Sequence, residues 1–464
     1  MTRKFGRVML VAPPGRCTPD GSFQAVPPEG LARIAAWLRR DGYEVAILDA
    51  LIEGYEERVA QGNTVRYGLS AARTAAMIAE WEPDIVGLSC LFTCVEPDVL
   101  EIARACRSLR PATPIVLGGA HAAYTARALL AREPAVDYVA LSEGEAAFAA
   151  LLECLNEGGQ PAAVGGFASR GAGGEVRARP LQQFLDLDRL PFPAWDLLPL
   201  EAYNRAGAPH FGISRSSRYV PTSWSRGCIN ACSFCLTPRL WGRGNHRKRT
   251  PGHIVEEIRW LRAKLQIEEL HVEDDCLLPD RDWLFAVLDA VAGEDFGLRL
   301  DFANSLDVNL VDDAIAAKMA RAGGCRVGLS FDTGEGNERN GWVGKQVALE
   351  TAHSAVAAMR AHGISMIGYF MLGFPGQTIA DMEAIVEYAL ALDLDYLSLF
   401  VATPFPGSPL HTYCEREGLL VNATDPRDFR FSFGHIQTDE FGPADTERLR
   451  REGYLEFLRR RGSG

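Results

Sequence analysis

No run of apolar side chains in this 464-residue chain approaches the ~20 residues that a membrane-crossing helix needs. A basic surplus is missing too. With 48 Lys and Arg against 60 Asp and Glu, the formal charge is −12, which argues against a general nucleic-acid binder. The first residues are charged and lead directly into a strand-like segment, so no signal peptide is expected there. No histidine precedes His121. The 11 cysteines do not form a paired framework; apart from Cys90/Cys94 and one trio they are scattered, which suits a reducing cytoplasm and a metal site better than disulfides. What is present is ordinary for a soluble protein: 47% hydrophobic and 23% charged residues, in a length that allows two to three domains.

Residues 1–160 alternate short apolar runs with amphipathic stretches. Strands are expected near 7–14, 44–50, 84–90, 114–119 and 138–144, and helices near 30–40, 70–81 and 96–109. This alternation predicts a parallel sheet with helices on both faces, a Rossmann-like doubly wound domain. Ligands of such sheets lie beyond the carboxyl ends of the strands. The loops there carry Pro13 and Pro14 before a long segment ending near Gly30, then Ser89 and Leu91, then Gly118, Gly119 and His121, then Glu143 and Gly144. Residues 161–217 read as a linker with a hairpin near 165–180 and an aromatic, proline-rich tract at 185–199.

A second set of strand and helix units starts at 218. Six strands are expected, near 219–225, 269–275, 298–305, 326–332, 365–372 and 396–402. Six βα units make a partial (βα)6 TIM-like barrel over 218–420, with its chemistry at the carboxyl ends of the strands. A short helical extension over 421–464 follows.

Directly after the first barrel strand stands CxxxCxxC: Cys228, Cys232 and Cys235, with Phe234 before the last. Three thiolates on one short loop suit three irons of a 4Fe–4S cube. No fourth cysteine lies close along the chain, so one iron stays open for a small molecule. Zinc would require a fourth ligand at short spacing, and His246 lies 11 residues after Cys235.

This motif resembles the radical S-adenosylmethionine (SAM) signature. In the first domain, Ser89-x-Leu91 followed after 26 residues by Gly118-Gly119 resembles the second half of the cobalamin-binding fingerprint. The first half, DxHxxG, is missing, which leaves the axial side of cobalt undetermined; a domain that has kept the fold and lost the cofactor is the alternative. Over nearly its full length the chain is similar to cobalamin-dependent radical SAM enzymes.

The resemblance implies a 4Fe–4S cluster on Cys228, Cys232 and Cys235, SAM chelated at the open iron, and cobalamin. It implies SAM contacts from Phe234, from Glu273, Asp274 and Asp275 at the end of the second strand, from Asn304 and Ser305 at the end of the third, from Asp332 at the end of the fourth, and from Gly373 in the Gly-Phe-Pro-Gly turn after the fifth. At Asp332 the family often carries Glu, so that contact is open. For Gly344-Lys345, and for the Pro-Gly turns after the fifth and sixth strands, turn chemistry alone is an equal alternative. Cobalamin contacts are implied for Pro13, Pro14, Ser89, Leu91, Gly118, Gly119, His121, Glu143 and Gly144, although a lone histidine after two glycines also reads as a loop-stabilising group.

The activity implied is methylation of an unactivated carbon of a small molecule, of natural-product or lipid and pigment type, through a 5′-deoxyadenosyl radical and methylcobalamin. Substrate contacts are expected from the barrel mouth, the interdomain cleft and the short tail. The partners implied are that substrate and an external electron donor such as flavodoxin or ferredoxin. A non-methylating radical enzyme performing cyclisation, ring contraction or oxidation is the alternative. A cluster-bearing binding or electron-transfer protein is a third reading, disfavoured by the family-like loops around the barrel mouth.

Overall fold

In the computed structural model, residues 3–171, 173–207, 209, 214–334, 341–344 and 346–462 are described. The chain forms two compact units: one up to Ser217 with 426–428, the other 218–425 with 429–464. Strands of the first are β1 (Arg7–Ala12), β2 (Gly15–Cys17), β3 (Glu44–Asp49), β4 (Arg58–Gln61), β5 (Thr64–Tyr67), β6 (Ile85–Ser89), β7 (Ile115–Gly118), β8 (Tyr138–Ala140), β9 (Phe167–Arg170) and β10 (Val176–Arg179).

Its main sheet has the order β10-β9-β8-β7-β6-β1-β3. The five strands from β3 to β8 are parallel and follow the doubly wound order 2-1-3-4-5, which reverses between β1 and β6. The two-residue period of β1 explains the two cores. Val8 and Leu10 face the helices Glu29–Arg40 and Glu145–Asn156, while Met9 and Val11 face the helices Ala71–Trp81, Glu96–Leu109 and Ala120–Arg132. The expected hairpin is β9 and β10, and it extends this sheet by pairing antiparallel with β8. The segment expected as one long loop after β1 opens instead with β2, which pairs with β5 in a separate three-stranded sheet. Buried Arg16 of β2 is bidentate on Asp98 there, so three residues suffice for a strand.

Asp49 ends β3 and is buried. It accepts from Leu51 N–H at 2.9 Å and from the Tyr203 hydroxyl. Burial lifts its pKa from 3.8 to about 6, against both hydrogen bonds. The folded chain therefore keeps a proton that the unfolded chain releases, and stability falls as pH rises through this window and is level above it. Asp49→Asn is expected to remove a slope of about 3 kcal/mol between about pH 4 and about pH 6, read from urea midpoints.

The second unit adds β11 (Tyr219–Thr222), β12 (Ser225–Arg226), β13 (Arg247–Lys248), β14 (Glu269–Val272), β15 (Arg299–Asp307), β16 (Gly324–Asp332), β17 (Ser365–Leu372) and β18 (Tyr396–Val401). Six of them lie in chain order, β11-β14-β15-β16-β17-β18, all parallel, with a helical connection after each. Sequential order with helical crossovers is a barrel path, and six strands leave it open. Phe331 and Phe370 stack at 4.9 Å and meet Tyr388 of the helix Ile379–Ala391 on the outer face. Alternate residues, Arg326 and Tyr369 among them, take the other face.

That inner face carries charge at the amino-terminal end of the sheet. His271 Nε2 lies 2.9 Å from Glu269, Asp301 pairs with Arg326, and Tyr219 stacks on His271 at 4.9 Å. All four charged or titratable side chains are at most 4% exposed.

At the outer edge of β18, the Leu399 N–H donates to Tyr454 Oη at 3.1 Å and the Leu399 carbonyl accepts from Arg450 Nε at 2.9 Å. Both side chains belong to the helix Pro443–Gly462. Among the described residues no helix is long and apolar enough to cross a membrane.

Candidate functional site: a thiol loop and a glycine-lined switch point

The cysteine loop leaves β11 through Trp224 and β12, which pairs antiparallel with β13. Residues just past β14 hold its start. Asp274 accepts from Trp224 N–H at 2.8 Å and from the Ser225 hydroxyl, and Asp275 accepts from Gly227 N–H and the Thr237 hydroxyl, each at 3.1 Å. Gly227 has φ +98°, and a Cβ there would lie 1.9 Å from the Asn245 carbonyl oxygen, so only glycine fits. The far side is clamped by Trp342, whose carbonyl accepts from Ser233 N–H at 2.9 Å and Ser233 Oγ at 2.6 Å. The indole of Trp342 donates to the Pro375 carbonyl at 2.9 Å. Phe234 packs on Phe374 with centroids 5.7 Å apart, which brings the loop against the Gly-Phe-Pro-Gly turn.

None of the 11 cysteines is in a disulfide, and Cys228, Cys232 and Cys235 are half-buried. Donors address the loop's sulfurs. Asn230 N–H points at Cys228 Sγ at 3.4 Å, and Thr237 donates to Cys235 through its hydroxyl and its N–H. Without metal both thiols are held above the ordinary range: Cys228 by a hydrogen bond with Cys276 and by burial, Cys235 by burial. Burial alone would make them inert. Hydrogen bonds aimed at sulfur suit thiolates that a cation has deprotonated, so the donor set fits a metal cluster.

Sequence spacing missed Cys276. It is buried and within hydrogen-bond reach of Cys228, so the expectation that no further cysteine lies near the trio holds along the chain and fails in space. His246 is no extra ligand candidate. Its Nε2 lies 3.1 Å from Ser225 Oγ, in a chain that runs on to Asp274.

The other barrel residues divide. Asp274 and Asp275 are spent on the loop, and burial raises the Asp274 pKa to about 7. Glu273 is the half-buried member of the three. Asn304 is half-buried and lies inside β15, which runs two residues beyond the expected end at 305, beside a register shift between Phe302 and Ser305; the Ser305 side chain lies outside the described residues, as does Lys345. Asp332 ends β16, buried and at φ +52°, a strained setting that an aspartate tolerates better than most residues. Gly373 N–H donates to Gln377 Oε1 at 2.9 Å, beside Phe374 N–H at 2.8 Å, so Gln377 shapes this turn. In the turn after β18, Thr403 Oγ1 donates to the Val401 carbonyl at 3.0 Å, and Ser408 caps the helix Pro409–Arg416. Arg249 is buried in an ion pair with Glu257.

In the first unit the sheet order reverses between β1 and β6, and the loop after β6 is tied to the loop after its other neighbour, β7. Cys90 N–H donates to the Gly118 carbonyl at 2.7 Å, and His121 N–H to the Leu91 carbonyl at 3.3 Å. Gly119 has φ +101°, and a Cβ there would lie 2.7 Å from the Cys90 carbonyl oxygen. Leu91 and Phe92 are 51% and 59% exposed, while Ser89 is half-buried. Pro13 is half-buried and Pro14 buried. An exposed apolar pair beside a backbone cradle kept clear of side chains fits a large flat ligand.

His121 does not face that surface. It is 2% exposed, with Nδ1 3.0 Å from Thr93 Oγ1 and Nε2 2.7 Å from Glu96. Buried Glu143 accepts from Leu185 N–H at 3.1 Å, and a Cβ on Gly144 would meet Ile34 at 2.6 Å. These three shape the loops.

A clamped thiol trio at the carboxyl ends of an open parallel barrel, in a chain that also carries a doubly wound sheet with a glycine cradle at its switch point, defines an iron–sulfur radical enzyme class with a second cofactor domain. Comparison with known proteins agrees. The B12 binding domain model matches residues 22–152 and the Radical SAM superfamily model residues 222–389. Cytidylyl-2-hydroxyethylphosphonate methyltransferase of Streptomyces wedmorensis is 30% identical, over 94% of this chain and 86% of its own. The anaerobic magnesium-protoporphyrin IX monomethyl ester cyclase of Rubrivivax gelatinosus is 24% identical, over 83% of this chain and 65% of its own. The structure of the radical SAM methyltransferase TsrM from Kitasatospora setae, with cobalamin and a 4Fe–4S cluster bound, shares the fold: TM-score 0.71 at 21% identity, over 96% of this chain and 85% of that one. The chain belongs to the cobalamin-dependent radical SAM enzymes, and its cofactors are a 4Fe–4S cluster, SAM and cobalamin.

Proposed function

We propose that the enzyme transfers a methyl group from SAM to an unactivated carbon of a small molecule, with Cys228, Cys232 and Cys235 as the protein ligands of the cluster. The observation that carries this is the presence, in one chain, of a thiol loop fixed at both ends and a glycine-opened loop pair at a sheet switch point. When bound, the cofactors supply the radical and the methyl group.

The chain's own work is positioning. Asp274 and Asp275 fix the start of the thiol loop, and Trp342 fixes its end, so the three thiols would hold the cluster on a clamped loop. We assign the adenine to the apolar pair Phe234 and Phe374, and the methionine ammonium to half-buried Glu273. Asn304, Ser305, Asp332 and the Gly373 turn complete the SAM contacts. Pro13, Pro14, Ser89, Leu91, Gly118 and Gly119 line the cobalamin surface, and His121, Glu143 and Gly144 hold those loops in shape.

The substrate is a small molecule, and a low-potential protein such as flavodoxin or ferredoxin supplies the electron. We infer that this work takes place in a reducing cytoplasm, a reading that eleven cysteines without a disulfide support.

The test is anaerobic turnover with methyl-labelled SAM on candidate small molecules. Label in the product, with S-adenosylhomocysteine and 5′-deoxyadenosine formed one to one, is the expected result. 5′-Deoxyadenosine with an unlabelled, rearranged or oxidised product would favour the second reading, non-methylating chemistry, which the resemblance to the Rubrivivax cyclase keeps in play.

Gly119→Ala should weaken cobalamin retention by about tenfold, because the new Cβ displaces the Leu91 loop. Cobalamin per chain after desalting measures this, with circular dichroism checking that the fold is kept.

A further inference from the structure

β14 and β15 run parallel with His271 opposite Asp301, and Asp301 is in turn opposite Arg326 of β16. Glu269 stands two residues before His271, so both side chains take one face of the sheet, while buried Leu270 and Val272 take the other. Nε2 of His271 lies 2.9 Å from Glu269 Oε1 and 3.9 Å from Asp301 Oδ2, and one ligand atom from each residue lies within 4.8 Å of the other two. Each of the three residues is 1% exposed. Tyr219 stacks on the imidazole and fixes its plane. Arg326 takes Asp301 Oδ2, while Oδ1 has no hydrogen-bond partner, a costly state for a buried carboxylate. Nδ1 of His271 has none either, so the polar contacts of the ring lie on its Nε2 side.

We infer that Glu269, His271 and Asp301 form a structural site for a divalent transition ion, with zinc the ion that suits it. Two carboxylate oxygens and an imidazole nitrogen are donors that zinc accepts, at about 2.0–2.2 Å from each. An ion at that distance holds its ligands roughly 3–4 Å apart, so atoms already 2.9 and 3.9 Å from His271 Nε2 need little movement. The ion also supplies a partner to Asp301 Oδ1. It places positive charge between two carboxylates that share one guanidinium, which a buried water does not do. Arg326 stays on the second oxygen of Asp301, as an outer partner that orients a ligating carboxylate. The ion ties β14 to β15 at the end of the sheet opposite the cysteine loop. The residues just past β14 hold that loop, so the strand that anchors the ion also anchors the clamp. Burial of all three ligands means that the ion enters as the chain folds.

The experiment measures zinc per chain, by elemental mass spectrometry, in tag-free full chains expressed with zinc in the medium and then reconstituted anaerobically with iron and sulfide. Wild type should keep about one zinc through desalting, and Glu269→Gln and His271→Gln roughly a tenth of that or less. Both substitutions leave the Asp301–Arg326 pair in place, and circular dichroism checks that the fold is kept. Wild type without zinc would overturn the proposal. So would equal zinc in wild type and variants, which means an adventitious ion only. Where a variant fails to fold, X-ray absorption at the zinc edge of wild type decides. Nitrogen and oxygen neighbours at about 2.0–2.2 Å support the site, and sulfur at about 2.3 Å puts the zinc on cysteine and overturns it.

Discussion

Cys232→Ala is expected to abolish SAM cleavage. It leaves two thiols on a loop that presents three, so one iron loses its protein ligand. Gly344 lies against this part of the loop: a Cβ there would lie 3.5 Å from Cys232 Sγ and from Cys232 N, and 3.3 Å from Ala231 N. The variant should fold, since the clamps from Asp274, Asp275 and Trp342 involve other residues. Iron content, the broad visible absorption of the cluster and 5′-deoxyadenosine formation should fall together. A variant that cleaves SAM at the wild-type rate would rule out the trio as the ligand set.

Arg326→Leu is expected to destabilise the barrel unit by about 3–5 kcal/mol, the usual effect of removing one partner from a buried ion pair. Asp301 is 1% exposed and pairs with Arg326, and Glu269 and His271 lie beside it, equally buried. Without the guanidinium, two carboxylates share one imidazole in a site that water does not reach. Asp301→Asn in the same chain should recover much of the loss, because it removes the uncompensated charge. Urea unfolding of the single and double variants measures both. Additive losses would mean that the pair is not energetically coupled.

The two parallel sheets could be read from the chain because their strands alternate with amphipathic helices at periods of 2 and 3.6 residues. The position of the thiol loop followed, since a barrel gathers what stands after each strand. Other features left no periodic trace. β2 has three residues and owes its place to the Arg16–Asp98 pair, formed across 82 residues. Cys276 lies 41 residues beyond Cys235 and comes to Cys228 only because β11 and β14 are neighbours. The acidic run 273–275 announced itself, but the direction of each side chain did not. Two of the three turned out to hold backbone and hydroxyl groups rather than to face a ligand. His121 stood next to a cofactor fingerprint, and its burial between Thr93 and Glu96 depends on a helix that a short motif does not encode.

The helix Pro443–Gly462 has a role in how the chain is made. β18 is an outer strand whose Leu399 amide and carbonyl are occupied by Tyr454 and Arg450. An unoccupied outer strand is a template for pairing with another chain. On a ribosome, all six barrel strands emerge well before residue 450, and domains fold as units while synthesis continues. During that interval the β18 edge is open to pairing; the Phe431 carbonyl then takes the Val401 N–H at 2.7 Å, and this helix takes the polar groups of Leu399. A chain cut before this helix is therefore expected to aggregate through the β18 edge.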